Sequence, residues 1–243
     1  MILKVHGFIL RLTPFQDNSQ VATIFTEEFG LRSFLIKNTY WTKRSNKNAL
    51  LLLLNQVEIV FYERQTREIQ LVSNVSLVYH YDKFYKNPQR GVYLQLWVEI
   101  LRSLLLEAGP QPEIFQWLNQ FLLKINQLGQ FVFEQTVIGL SELAQLMGYL
   151  PEIDETWSKQ PIRLNNTLGT FEKTTPDKVE IAPTLIVNLI LQKDNHQIFN
   201  KIPKNNRIKV LQCWFKIFQI HIPHFKEPVS LSIWETIWKD LSG

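Results

Sequence analysis

The sequence predicts an α+β protein: a five-stranded β-barrel over residues 1–80, followed by an α-helical domain over residues 81–243. Three observations predict it. Apolar residues alternate with polar ones in short runs as far as Tyr79. From about Tyr81 the same residue types recur every three or four positions. No long helical run separates the early strands. Alternation marks half-buried strands, and the longer period marks amphipathic helices. Five short strands with exposed edges favour closure, because a closed sheet leaves fewer unpaired backbone groups.

The strands follow in order. "KVHGFILRL" carries β-branched and aromatic residues and ends before Thr13-Pro14, "QVATIFT" runs to a turn around Gly30, and "LRSFLIK" leaves that turn. "QVEIVFYER" sets Val57, Ile59 and Phe61 on one face, and "EIQLVSNVSLVY" continues the alternation through Ile69 and Leu71. Phe34 falls inside a strand and reads as core.

The helices follow from Tyr81 onward. Leu94, Trp97, Leu101 and Leu104 share one face of a helix that Gly109-Pro110 stops. Pro112 occupies a first-turn position, where its missing N–H costs nothing, ahead of Ile114, Leu118, Phe121 and Ile125. "FEQTVIGLSELAQLMGYLP" closes at Gly148 and Pro151. Ile208, Leu211, Phe215, Phe218 and Ile222 mark a later helix, and "SLSIWETIWKDL" a last one, with Ser230 or Ser232 as its cap. Residues 151–183 hold prolines, Gly169 and scattered Asn and Thr, and read as an irregular insertion on the helical body.

Composition sets limits on function. With 45% apolar and 20% charged residues the chain is globular, and its net charge of +4 permits an anionic partner. One cysteine, Cys213, excludes an intrachain disulfide and any multi-cysteine zinc site. The opening "MILKVHGFILRL" is interrupted by Lys4, His6 and Arg11, unlike a signal peptide. The longest aliphatic run, "ALLLLL" at 49–54, is too short to span a bilayer, which takes roughly 20 apolar residues. A cytoplasmic protein is expected.

Catalytic motifs are lacking, so no enzyme, cofactor or metal is expected. His221 and His224 flank Pro223 without an accompanying carboxylate motif. Cys213 sits beside Trp214 in an apolar helix and reads as an inert buried thiol. Glu27-Glu28 and Asp154-Glu155 are sequence neighbours, whose side chains diverge on an extended chain.

The stretch "FLIKNTYWTKRSNKN" at 34–48 is the candidate site. From Phe29 to Val57 there is no Asp or Glu, while Arg32, Lys37, Lys43, Arg44 and Lys47 surround Tyr40 and Trp41. Cations can hold the phosphates of a single strand while exposed rings stack on its bases, at roughly 1–3 kcal/mol per base. Arg11 joins as a supporting cation. A hairpin loop whose charges only solvate it fits the same composition, and both readings stand. A second basic cluster, Lys201, Lys204, Arg207 and Lys209, opens a helix, where positive charge opposes the macrodipole. Solvated lysines on an apolar helix are its simpler reading.

The ordered set "GFILRLTPFQDNSQVATIFTEEFGLRSFLIK", "LLLLLNQVEIVFYERQTREIQLVSNVSLVY", "LAQLMGYLPEI" and "NRIKVLQCWFKIFQIHIPHFKEPVSLSIWETI" resembles the bacterial RecO family of recombination mediators. The likeness is to the shorter forms from the Bacteroidetes group. It implies an OB-fold barrel at the N-terminus and a protein that binds single- and double-stranded DNA and anneals complementary strands. It also implies work with RecR, engagement of the acidic tail of single-stranded-DNA-binding protein, assistance to RecA loading, and a nucleoid-associated place in the cytoplasm. Two departures stand out. Residues 151–183 contain no cysteine, so the zinc knuckle of many members is absent. Asn38-Thr39-Tyr40-Trp41 replaces the glycine and basic residue that often follow the third strand. The rival reading is a scaffold that binds no DNA and docks an acidic peptide tail against helices rich in Trp97, Trp117, Trp214 and Trp238.

Overall fold

The computed structural model describes residues 1–16, 19–37, 50–64, 66–85, 88–106, 108–128, 133–153, 155–191 and 202–240. The change from strand to helix falls between Tyr79 and Asp82. Compactness divides the chain elsewhere, into units 1–129 and 130–243, because two helices pack with the strands.

In the first unit, β1 (Ile2–Phe15), β2 (Ser19–Thr26), β3 (Gly30–Lys37), β4 (Gln56–Tyr62) and β5 (Ile69–Tyr79) form a closed barrel in the order β1-β2-β3-β5-β4. β4 returns antiparallel to β1, and a short parallel pairing of β3 with β5 completes the circle. Alternation fills the interior: Val5, Ile9, Ala22, Ile24, Phe34, Ile36, Val57, Ile59, Phe61 and Val72 form one buried cluster. Phe34 meets Phe61 edge-on at 5.2 Å and is fully buried, as its place in a strand implies.

The turn from β2 to β3 is fixed by its own side chain. Thr26 Oγ1 accepts the Phe29 N–H at 3.2 Å and donates to the Gly30 carbonyl at 2.9 Å. Gly30 has φ +66, and a Cβ there would run into the Gly109 carbonyl, at the loop joining two helices of the same unit. A side chain is therefore penalised twice, by conformation and by space. Gly30→Ala is expected to lower unfolding stability by roughly 1–3 kcal/mol, read from denaturant melts followed by far-UV circular dichroism.

After the four-residue α1 (Asp82–Tyr85) come α2 (Pro88–Leu105) and α3 (Pro112–Leu128). Leu94, Trp97, Leu101 and Leu104 are buried on one face of α2, as their spacing requires. α2 lies against β1 and β3. α3 begins at Pro112 and sends Phe115 onto the barrel exterior, 4.9 Å from the Phe8 ring and 5.7 Å from the Phe25 ring. One end of the outer β1–β2 face is thereby covered.

The second unit is built on α6 (Lys204–His221), which packs against α4 (Phe133–Leu146), α5 (Ile181–Leu191) and α7 (Ser230–Asp240). Trp214, Phe215, Ile217 and Phe218 are fully buried there. Residues 151–183 are more ordered than their composition suggested. A hairpin of β6 (Ile162–Leu164) and β7 (Phe171–Lys173) is tied across its strands, where Arg163 Nε donates to Glu172 at 2.5 Å and Asn165 Nδ2 donates at 2.9 Å. The Arg163 hydrogen bond, followed by that of Asn165, holds the Glu172 carboxyl below its ordinary value. α5 went unread because its apolar residues run almost continuously, leaving no period to see. α7 starts at Ser230, so Ser232 lies within its first turn and donates to the Val229 carbonyl instead of capping.

Candidate nucleic-acid interface

The strand register separates the predicted cations by face. Residues directly opposite each other across a ladder share a face. Ile24 points into the barrel, so its neighbour Thr23 points out, and with it Thr23's partners Arg11 and Ser33. Lys37 lies on the same outer side of β3 as Ser33 and Leu35, and is exposed. Arg32 pairs with the inward-facing Ile24, and its guanidinium sits 5.0 Å above the Phe29 ring, which itself packs on the core cluster. Arg11 and Lys37 therefore share the outer β1–β2–β3 face, and Arg32 belongs to the inward row.

Outward residues of these three strands include Arg11, Thr13, Val21, Thr23, Ser33, Leu35 and Lys37, with no acid among them. The adjoining β1–β4 face differs. There Glu58 accepts from Lys4 at 2.8 Å and lies 3.3 Å from His6, and the Lys4 hydrogen bond holds its carboxyl below the ordinary value. That group neutralises itself; the β1–β2–β3 face does not.

Tyr40, Trp41, Lys43, Arg44 and Lys47 lie outside the described residues, as does Lys201. Lys37 is the last described residue before the aromatic–basic segment. Of the second cluster, Lys204 opens α6, Lys209 is exposed, and Arg207 is engaged in packing. Arg207 Nε donates to the Ile202 carbonyl at 3.2 Å, its guanidinium lies 5.5 Å from the Phe133 ring, and burial pulls its ionisation below the ordinary value. Sequence reasoning missed one further cation. Arg102 of α2 is half-buried, and its ionisation is lowered first by burial and then by the charge of Arg11.

Groups weighed for chemistry are used in packing. His221 stacks flat on Tyr149 at 4.6 Å in the wall of an open cleft of about 640 Å³, which Trp157 and Phe171 also line. Among the described residues no three His, Cys, Asp or Glu side chains gather as metal ligands. Burial, with a further contribution from Glu180, pushes the Cys213 thiol up to about 12. Thiol reagents are expected to label Cys213 slowly in the native chain and rapidly after denaturation, which mass spectrometry of the alkylated protein would read. Among the described residues no helix is long and apolar enough to cross a membrane.

Residues 1–81 match the family model described as recombination protein O N terminal, which makes the barrel an OB-fold domain of that type. Similarity continues beyond it. Proteins named DNA repair protein RecO from Azobacteroides pseudotrichonymphae and Flavobacterium psychrophilum are 20% and 21% identical to the chain, each over 98% of it and 100% of their own length. A protein of the same name from Prosthecochloris aestuarii is 29% identical over 64% of the chain. The chain spans 58% of that relative's length. The chain is thus similar to proteins of that name beyond the barrel as well as within it.

Proposed function

We propose that the protein is a DNA-binding mediator of recombinational repair that works without bond chemistry. The observation that carries this reading is an OB-fold barrel of the RecO type whose outer β1–β2–β3 face holds Arg11 and Lys37 without an acid and leads into the segment 38–49. The barrel, over residues 1–80, serves as the nucleic-acid-binding domain, and the helical remainder presents surfaces for partners. Lys37, Lys43, Arg44 and Lys47, with Arg11 in support, neutralise phosphates, while Tyr40 and Trp41 stack on bases; Arg32, in the inward row, is left out of this set. Single- and double-stranded DNA both offer the required charge. Screening two polyanions while holding their bases unpaired lowers the barrier to annealing. Family likeness supports RecR, the acidic tail of single-stranded-DNA-binding protein and, indirectly, RecA as partners.

The rival scaffold loses much of its proposed surface, since Trp97 and Trp214 are fully buried. A strand-annealing assay with fluorescent complementary oligonucleotides tests the proposal. Pairing faster than the spontaneous rate, together with retention of single strands on a filter at low salt, is the expected result. A scaffold would leave single strands free and the annealing rate unchanged.

A further inference from the structure

The barrel carries an apolar strip on its outside. Ile2 of β1 stands directly opposite Tyr62 of β4, Tyr62 opposite Leu71 of β5, and Leu71 opposite Leu35 of β3. Their chain neighbours Leu3, Phe61, Val72 and Phe34 belong to the interior, so all four point outward. Directly opposite residues hold their Cβ atoms about 5 Å apart, which makes the row continuous across four strands. Val60 and Ile69, two positions before Tyr62 and Leu71, widen it on its two sides. The strip is open to solvent: Ile2 is 60%, Tyr62 48% and Ile69 40% exposed.

Both rims of the strip are electrically balanced. On one side Lys4 pairs with Glu58 at 2.8 Å, and His6 lies 3.3 Å from the same carboxylate. On the other, the turn from β4 to β5 carries Glu63, Arg64, Arg67 and Glu68, and among the described residues no ion pair engages any of them. A buried side chain holds that turn. Gln70, 1% exposed, accepts the Arg64 N–H at 2.9 Å and donates through Nε2 to the carbonyls of Arg64 at 3.0 Å and Arg67 at 2.6 Å. The Arg67 N–H donates to the Arg64 carbonyl at 3.0 Å, and the Glu63 N–H to the Met1 carbonyl at 2.9 Å. The backbone at the charged positions is thus tied before any partner arrives, which reduces the ordering cost of docking.

We propose that this strip is a self-association surface, on which a second copy of the chain docks about a two-fold axis. A polyanion needs a surplus of positive charge, and a charged peptide needs a surplus of the opposite sign; neither rim has one. Free charges of both signs in equal number are instead complementary to themselves. Under a two-fold axis an arginine of one turn meets a glutamate of the other, and the contact occurs twice. Tyr62, within the apolar row, supplies a large ring of the kind that anchors interfaces. At ordinary strand spacings the strip covers roughly 300–400 Å². That is the size of patches that carry function, and less than the roughly 800 Å² that each partner of a stable complex buries. Such a surface makes a transient dimer, with a dissociation constant on the order of 10–100 μM. The docking does not depend on the DNA-binding reading.

Sedimentation velocity of the full chain from about 2 to about 200 μM tests the docking. The wild type is compared with Tyr62→Ser, with Arg64→Glu combined with Arg67→Glu, and with Glu63→Arg combined with Glu68→Arg, each checked for folding by far-UV circular dichroism. The wild type is expected to pass from monomer towards dimer across that range. Tyr62→Ser should weaken association by at least about tenfold. Each reversed variant should stay monomeric alone, because its two like-charged turns repel, and the two should associate again when mixed in equal amounts. Wild-type association that Tyr62→Ser and both reversals leave unchanged places the contact elsewhere and overturns the proposal. Reversed variants that stay apart when mixed overturn the two-fold docking. A wild type that remains monomeric throughout overturns it outright. Loss of oligothymidylate binding in Tyr62→Ser would then give the strip to a nucleic-acid strand, and unaltered binding would give it to a different protein. If Tyr62→Ser fails to fold, the mixed pair of reversals still decides.

Discussion

Replacing Lys43 and Arg44 together by alanine is expected to weaken single-strand binding and flatten its salt dependence by about 1.4 in slope. Each phosphate that the chain neutralises releases condensed counterions, which contributes roughly 0.7 to the slope for a single strand. Across a fourfold rise in salt the double variant would lose roughly sevenfold less affinity than the wild type. The two residues belong to the acid-free stretch that follows Lys37, with no carboxylate between Phe29 and Val57 to absorb their charge. Fluorescence anisotropy of a labelled oligonucleotide at several salt concentrations gives the slope directly. Parallel lines for variant and wild type would remove these two residues from the interface.

A second large effect concerns how the barrel and its two helices hold together. Phe115→Ala is expected to destabilise the protein by about 3–5 kcal/mol, the usual cost of truncating a buried aromatic. The ring is nearly inaccessible and fills the space above Phe8 and Phe25, both of which are fully buried on the outer face. Truncation would leave a cavity bounded by two rings held in strands, which have little freedom to collapse inward. Chemical denaturation followed by tryptophan fluorescence would measure the change, since Trp97 and Trp117 sit on the same pair of helices. A loss below about 1 kcal/mol would mean that α3 docks through other contacts.

The five barrel strands could be read from the chain because the barrel is half-buried on alternating residues. Val57, Ile59 and Phe61 announce their face without tertiary information. Helices α2, α3, α4 and α6 were equally open to inspection, since Leu94, Trp97, Leu101 and Leu104 keep the period that one buried face demands. α5 was hidden by its nearly uniform apolarity, and the β6–β7 hairpin by strands of three residues each, too short to show alternation.

The site was legible as composition and illegible as geometry. Charge alone puts Arg11, Arg32 and Lys37 on one footing, but one extra residue in β1 decides that Arg11 faces out, and pairing with Ile24 puts Arg32 in the inward row. Such a bulge leaves no signature in a run like "FILRL". Arg102 escaped notice for a different reason. It lies far from the basic stretch in sequence, on a helix whose packing against β1 and β3 no local pattern announces.

The most direct test is the affinity of the intact chain for a labelled single strand as a function of salt. Log affinity is predicted to fall linearly with log salt, with a slope of about 0.7 for each cation engaged. Equal affinity at low and high salt, or none at either, would contradict an interface made of phosphate-seeking cations.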